Sequence, residues 1–221
     1  MLNKVVFLGI WVLFLGYGFF FSPPDNPNTM DLIINLSKGS WQGINPYIIS
    51  LFNLMGILPM IYASLLIIDG RNQRIMATPF VVGSFFLGAF ALLPYLGLRE
   101  NNSSFTGEKG FFIKILDSKV SAIALTLGTI ILIIFALRNG NWNDFINQWQ
   151  SSKFINIMTL DFCCLCSLFP VLIQDDLRRR NIDNQKILWA VTFIPLFGTL
   201  FYLCFRPSLS VDRETLTTQT T

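Results

Sequence analysis

The chain has 221 residues, of which 52% are hydrophobic and 13% are charged, with a mean hydropathy of +0.55. Soluble domains carry roughly 25% charged residues, so this composition indicates an integral membrane protein. The net charge of +3 is too small for the basic surface that nucleic acid requires. The expected partners are therefore the lipid bilayer and other membrane proteins.

The chain contains no histidine. This excludes haem, zinc or copper held through imidazole, and also a histidine general base. No cofactor is expected, although a pigment held by a different ligand stays open. The four cysteines lie in apolar surroundings and are expected to pack as small hydrophobes. The Cys-Cys-Leu-Cys spacing at 163–166 is not one that binds zinc or an iron–sulfur cluster.

The first apolar segment runs from Lys4 to Phe21. It resembles a signal peptide, but no small-x-small cleavage site precedes Ser22-Pro23-Pro24, so a retained helix is expected. The following loop to Asn45 contains a possible short surface helix around residues 30–36. It also contains Trp41, which suits an anchor at the level of the headgroups.

Two further helices are predicted over Pro46–Ile68 and Pro79–Leu98. Asn45-Pro46 and Thr78-Pro79 are both typical of helix starts, because Asn and Thr can cap and Pro is tolerated at the first helical position. The turn between them, which begins at Asp69, makes the pair a tight antiparallel hairpin. Ser84 and Gly88 form a small-xxx-small pair that favours close helix packing.

A polar loop over 99–119 leads to a fourth predicted helix, Val120–Leu137. The apolar residues after it recur with helical spacing, which is typical of a helix lying in the membrane interface. Such a helix can pack on its own bundle or serve as a docking site for a partner. Its apolar residues are Trp142, Phe145, Ile146 and Trp149.

The fifth and sixth predicted helices are Phe154–Gln174 and Ile187–Phe205, each with an internal proline that can bend it. The expected fold is therefore all-α, a membrane bundle of about six transmembrane helices with one or two interfacial amphipathic helices. Both termini are expected at one face. Seven Lys and Arg residues would lie at that face and nine at the other, which weakly favours Arg178, Arg179 and Arg180 being cytoplasmic.

Asp161 is the strongest candidate for a functional residue, because a carboxylate at membrane depth is costly. A structural clamp, proton transfer and ligand binding are all open. Arg138 and Arg206, which end the fourth and sixth predicted helices, are expected to share its face and to be possible partners. Asn53 is a second polar residue at depth.

Two charged clusters lie in loops. The Asp175–Arg180 cluster is expected to fix the topology or to contact anionic lipid or a partner protein through its three arginines. Asp69-Gly70-Arg71 resembles the start of a membrane phosphotransferase motif, but the further aspartates that hold metals are absent. A helix C-cap at Gly70 is the better interpretation.

Several stretches together resemble a family of multi-pass membrane proteins of cyanobacteria and, in related form, chloroplasts. The resemblance covers most of residues 39–207 and lies in the following stretches: 39–46 (GSWQGINP), 51–56 (LFNLMG), 69–71 (DGR), 79–95, 160–162 and 169–179. It implies a thylakoid or plasma membrane of a cyanobacterium, or a plastid membrane. It implies no biochemical activity and no site residue.

No catalytic signature is present, so an enzyme is not expected. The first functional hypothesis is an accessory or assembly protein of a membrane complex, possibly a photosynthetic one. It would act through helix contacts, the interfacial helix and the arginine cluster. The second is a small-solute, ion or proton transporter centred on Asp161. The third is a module that binds a pigment or a lipid.

Overall fold

The structure is a computed structural model that describes residues 2–71, 73–100, 102, 105 and 109–209. Within these residues every regular element is an α-helix, which confirms the predicted all-α class. The elements in chain order are α1 (Leu2–Phe20), α2 (Thr29–Lys38), α3 (Pro46–Asp69), α4 (Thr78–Leu87), α5 (Ala89–Leu98), α6 (Phe111–Leu116), α7 (Lys119–Asn139), α8 (Trp142–Ser151), α9 (Lys153–Arg179), α10 (Gln185–Phe193) and α11 (Pro195–Phe205).

Three of the described helices, α3, α7 and α9, are long and apolar enough to cross a membrane. They indicate a membrane protein. The prediction of six spanning helices is not confirmed, because two of the predicted spans are each split into two short helices. The predicted segment 79–98 is divided between α4 and α5, and the predicted segment 187–205 between α10 and α11.

The first split occurs at Gly88, between α4 and α5. Its backbone has φ +53° and ψ −128°, a conformation that residues with a Cβ rarely adopt. The chain reverses there, and α4 and α5 pack on each other as a helical hairpin. Both ends of the hairpin lie at the same end of the bundle, because Arg99, which follows α5, forms an ion pair with Asp69 at the end of α3.

The second split occurs at Pro195, which the sequence predicted to bend a helix. α10 and α11 again form a hairpin, and Arg206, which follows α11, forms an ion pair with Asp176 near the end of α9. Arg206 therefore does not share the face of Asp161, and that prediction was wrong. The reason is that a hairpin returns the chain to the end from which it entered, whereas a single helix would have carried it across.

The two halves of the chain repeat one arrangement. A long helix, a short helix, a second long helix and a helical hairpin occur as α1, α2, α3 and α4–α5, and again as α7, α8, α9 and α10–α11. From the start of the second long helix, each residue of the second half lies 107 positions after its counterpart: Asp69 and Asp176, Gly88 and Pro195, Tyr95 and Tyr202, Arg99 and Arg206. The protein thus contains a tandem repeat.

The helices define two ends of the bundle. The arginine end is where α3 and α9 finish, and it holds Asp69, Arg99, Asp176 and Arg206. The asparagine end is where α3 and α9 begin, and there Asn45 donates hydrogen bonds to the backbone oxygen of Asn141 at 2.8 Å and to Asp144 Oδ2 at 2.7 Å. Asn45 also caps α3 by accepting from the Tyr47 N–H at 3.0 Å, as its sequence position predicted.

The polar, threonine-rich stretch 207–221 is predicted from its composition to be disordered, but its first residues are ordered at the arginine end. Leu209 is buried, and its N–H donates to Asp117 Oδ2 at 3.1 Å, while the Pro207 carbonyl accepts from Arg180. The rest of that prediction, residues 210–221, lies outside the described residues.

Candidate functional site

Asp161 lies two turns into α9, where it meets the tip of the α4–α5 hairpin. Its Oδ1 accepts a hydrogen bond from the Ala89 N–H at 2.7 Å. That N–H is one of the unpaired donors at the start of α5, so the carboxylate caps a helix that begins inside the bundle. A Cβ at Gly88 would overlap the Asp161 carboxylate, so only glycine permits this close approach.

Helix α1 holds the hairpin tip from the other side. The Trp11 indole N–H donates to the Phe90 carbonyl oxygen at 3.0 Å, and the rings of Phe14 and Phe90 stack with centroids 4.3 Å apart. Closer to the asparagine end, the Tyr17 hydroxyl donates to Asn156 Oδ1 at 2.9 Å and so links α1 to α9. The hairpin tip is therefore a fixed element against which a ligand can pack.

A cavity of about 400 Å³ lies beside this tip, in the half of the bundle nearer the asparagine end. Its volume falls within the ~300–1,000 Å³ range of small-molecule sites. Asp161 lies at its inner end, and the half-buried Lys153 and the exposed Asp25, whose charged groups are 3.5 Å apart, lie at its outer edge. The wall is mainly apolar and includes Phe52, Met55, Phe85, Phe86, Phe90, Phe154, Ile157 and Met158.

Asp161 lines this cavity, and only one of its two carboxylate oxygens, Oδ1, is hydrogen-bonded within the described chain. Oδ2 accepts no hydrogen bond from any described residue, yet it is not among the fully enclosed polar atoms. The residue as a whole is only 6% exposed. An acceptor of this kind in apolar surroundings attracts an N–H or O–H donor more strongly than it would in water. The site can therefore hold a mainly apolar molecule that carries one donor group.

The tandem repeat places an apolar residue at the equivalent position of the first half. The counterpart of Asp161, 107 residues earlier, is Leu54. Shared features such as the terminal arginines are found in both halves, whereas this carboxylate is found in one. Asp161 is thus not required by the repeated architecture itself, which favours a role specific to the cavity.

The arginine end contains the densest set of buried charges. Arg99 pairs with Asp69 at 2.7 Å and with Asp175 at 2.5 Å, and Arg179 pairs with Asp69 at 3.2 Å. These contacts join α3, the end of α5 and α9. The charges balance, which is the condition under which buried ions are tolerated.

A second, adjoining group of ion pairs is centred on Asp117 and Asp176. Arg180 bonds to Asp176 at 2.9 Å and to Asp117 at 2.7 Å, and Arg206 bonds to Asp176 at 3.0 Å. The Tyr202 hydroxyl also donates to Asp176 Oδ2 at 2.8 Å. The repeated pairs Arg99–Asp69 and Arg206–Asp176 show that each hairpin is fastened to the preceding long helix in the same way.

These ion pairs shift the titration of the loop groups that they include. Burial alone would raise the pKa of Asp117, but the guanidinium groups of Arg180 and Arg206 and the Leu209 N–H together outweigh it and hold that pKa below its ordinary value. Burial would lower the pKa of Arg99, but the Asp69 and Asp175 carboxylates raise it above its ordinary value. Both groups stay charged at neutral pH, which fits a structural role.

The other residues singled out in the sequence lie away from the cavity. Asn53 donates to the Ile49 carbonyl oxygen of its own helix at 2.8 Å. Arg138 is exposed at the end of α7, and no ion pair joins it to Asp161 within the described chain. Arg178 is exposed, whereas Arg179 and Arg180 are buried in the ion pairs above.

The predicted interfacial helix is present as α8, from Trp142 to Ser151. Phe145 is buried, and Ile146 and Trp149 pack with it on α3 and α9. Trp142 is 56% exposed but contacts the Tyr47 ring at a centroid distance of 5.4 Å. Most of the apolar face of α8 is therefore covered by the protein's own bundle, which is one of the two alternatives that the sequence left open.

The cysteines do not gather into a metal site. Cys166 is buried, Cys164 and Cys204 are half-buried, and Cys163 is exposed on the surface of α9. Among the described residues no group of three or more Cys, Asp or Glu side chains is arranged to hold a metal ion.

The cavity wall is the part of the site that sequence reasoning missed. Gly88 was interpreted only as a packing glycine, and the phenylalanines of α4 were counted as part of a spanning helix. A signal was present, because Tyr-Leu-x-x-Arg occurs at both 95–99 and 202–206. When the two halves are aligned on this repeat, Gly88 corresponds to Pro195, and the chain reverses at both positions.

Comparisons with known proteins found no match: no family model, no curated protein and no solved structure resembles the chain at a significant level.

Proposed function

We propose that this membrane protein binds a small, mainly apolar molecule in the Asp161 cavity, with an amine or hydroxyl group of the ligand donating to Asp161 Oδ2. The single observation that supports this most is the open acceptor at the inner end of an apolar cavity. The ring-rich wall would contact the apolar body of a lipid or a pigment, and the carboxylate would fix its polar group. No catalytic role is proposed.

The proposal is tested by identifying small molecules that remain bound during purification in a mild detergent. Asp161→Asn is the informative variant, because the amide oxygen can still accept from the Ala89 N–H while its NH₂ group replaces the open acceptor. Ser167→Ala, an exposed change on the same helix, is the control. We expect a compound in the organic extract of the wild type and the control that is lost from Asp161→Asn.

The extraction also distinguishes the ligand classes. A visible absorption band in the purified wild type would identify a pigment, and a colourless compound of high mass would identify a lipid. Equal extracts from the wild type and Asp161→Asn, with both proteins folded, would contradict the proposal.

A transporter centred on Asp161 is the second candidate. It is favoured by the break between α4 and α5 at the depth of the cavity, since discontinuous helices line many transport sites. The test is proton flux into vesicles that hold the purified protein and an internal pH-sensitive dye. Flux that depends on Asp161 supports transport. Flux equal to that of empty vesicles would contradict transport, and ligand binding would then be the remaining proposal.

An accessory or assembly role, in a cyanobacterial or plastid membrane as the sequence resemblance implies, stays a prediction. The surfaces first assigned to it are smaller than expected, because Phe145, Arg179 and Arg180 are turned inward. Co-purification of a defined complex with the tagged protein would support it.

A further inference from the structure

The distribution of positive charge between the two ends of the bundle is strongly unequal. Among the described residues, twelve Lys and Arg side chains belong to the arginine end: Lys4, Arg71, Arg74, Arg99, Lys109, Lys114, Lys119, Arg178, Arg179, Arg180, Lys186 and Arg206. Three belong to the asparagine end: Lys38, Arg138 and Lys153. The two hairpins cause this inequality: the first returns Arg99 and the loop after α5 to the end that holds Arg71 and Arg74, and the second returns Arg206 to the end where α9 finishes.

The inequality persists when the buried ion pairs are set aside. Arg99, Arg179, Arg180 and Arg206 are balanced by Asp69, Asp117, Asp175 and Asp176. The positive charges that remain lie in short loops or at helix ends, which is where the positive-inside rule applies. At the asparagine end, Asp25, Asp31 and Asp144 equal the three positive side chains in number.

We infer that the arginine end faces the cytoplasm, or the compartment topologically equivalent to it, against the anionic lipid of that leaflet. The asparagine end then faces the opposite compartment. The Asp161 cavity lies in the half of the bundle nearer the asparagine end, so its ligand occupies the outer half of the membrane. This last step depends on the proposed function, whereas the orientation does not.

Cysteine labelling in intact cells tests the orientation. In a background with the four native cysteines replaced by alanine, Ser40→Cys marks the asparagine end and Met76→Cys marks the arginine end, both at exposed positions. Thr29→Cys marks the outer part of the cavity. The probe is a membrane-impermeant maleimide, added before or after permeabilisation of the cells.

We expect Ser40→Cys and Thr29→Cys to react in intact cells and Met76→Cys to react only after permeabilisation, with at least a tenfold difference in labelling. Reaction of Met76→Cys in intact cells, alone or together with Ser40→Cys, would overturn the inference. A fluorescent protein fused after Thr221 gives a second measurement in the unmodified chain. It should fluoresce inside the cell, and an active alkaline phosphatase at that position would overturn the orientation.

The outcomes separate the two proposals. A reversed labelling pattern, with a compound still lost from Asp161→Asn, would contradict the inferred orientation and support the binding function. The expected labelling pattern with no compound in any extract would keep the orientation and remove the binding function.

Discussion

At the residue scale, the buried arginines are expected to contribute more to the free energy of unfolding than their exposed neighbour. Arg180 is bonded to Asp176 and Asp117, whereas Arg178, on the same helix turn, is exposed. Arg180→Met should destabilise the protein by about 3–5 kcal/mol, because it removes the guanidinium that joins two buried carboxylates and leaves their negative charge only partly compensated. Arg178→Met should change stability by no more than about 0.5 kcal/mol. Thermal unfolding in detergent measures both, and equal losses would contradict the buried network.

The repeated tyrosines provide a matched pair. The Tyr202 hydroxyl donates to Asp176, while the Tyr95 hydroxyl is buried without a partner among the described residues. Tyr202→Phe should therefore cost about 1–3 kcal/mol, since a hydrogen bond to a charged group is lost. Tyr95→Phe should be neutral or stabilising. The same unfolding assay compares them, and a larger loss from Tyr95→Phe would contradict the assigned hydrogen bonds.

Asp117 gives the arginine end a predictable response to acid. The pKa of Asp117 is held below the ordinary carboxyl value in the folded protein. Its ion pairs therefore stabilise the folded state fully when the pH is above the ordinary pKa of Asp, and this stabilisation is lost as the pH falls through the folded pKa. The difference in melting temperature between the wild type and Asp117→Asn should be full at pH 7. It should shrink below about pH 4, the ordinary range of Asp. A difference that grows on acidification would reverse the sign and contradict this account.

At the element scale, the reversal at Gly88 is the most sensitive backbone position. Alanine there would adopt a positive φ and overlap Asp161, so Gly88→Ala should destabilise the protein by at least about 1–3 kcal/mol. Gly56→Ala is the control, because a Cβ there meets nothing within 4 Å and Ala is the better helix former. If both variants have the melting temperature of the wild type, the account of the hairpin is contradicted.

The elements also show what the sequence could predict. Asn45-Pro46 and Thr78-Pro79 carry local helix-start signals, and both helices begin within one residue of the predicted positions. The break at Gly88 has no comparably local signal. An uninterrupted apolar run of 20 residues satisfies a spanning helix and a hairpin equally, and the choice depends on contacts with Asp161 and Trp11 that are far away in sequence.

At the scale of the whole molecule, the tandem repeat explains why the topology was mispredicted. The shared residues are few and are scattered through two apolar segments whose composition is otherwise uniform, so hydrophobic periodicity conceals them. Asp69 and Arg99 are distinctive only when they are aligned with Asp176 and Arg206. Once each hairpin is assigned, the positions of the loop charges follow.

The whole molecule also sets the limits of the candidate site. Asp161 was identifiable from sequence because a lone carboxylate in an apolar segment is conspicuous. Its surroundings were not, because the cavity wall combines α3, α4, α5 and the first half of α9. The open oxygen could be recognised only after the hydrogen bond from Ala89 accounted for the other one.

The most direct test of the central claim is an experimental density map of the wild-type protein purified in a mild detergent. We predict non-protein density in the cavity, within hydrogen-bonding distance of Asp161 Oδ2 and in contact with Phe85 and Phe154. A well-ordered map in which those side chains close the cavity and nothing but protein reaches Asp161 would contradict it.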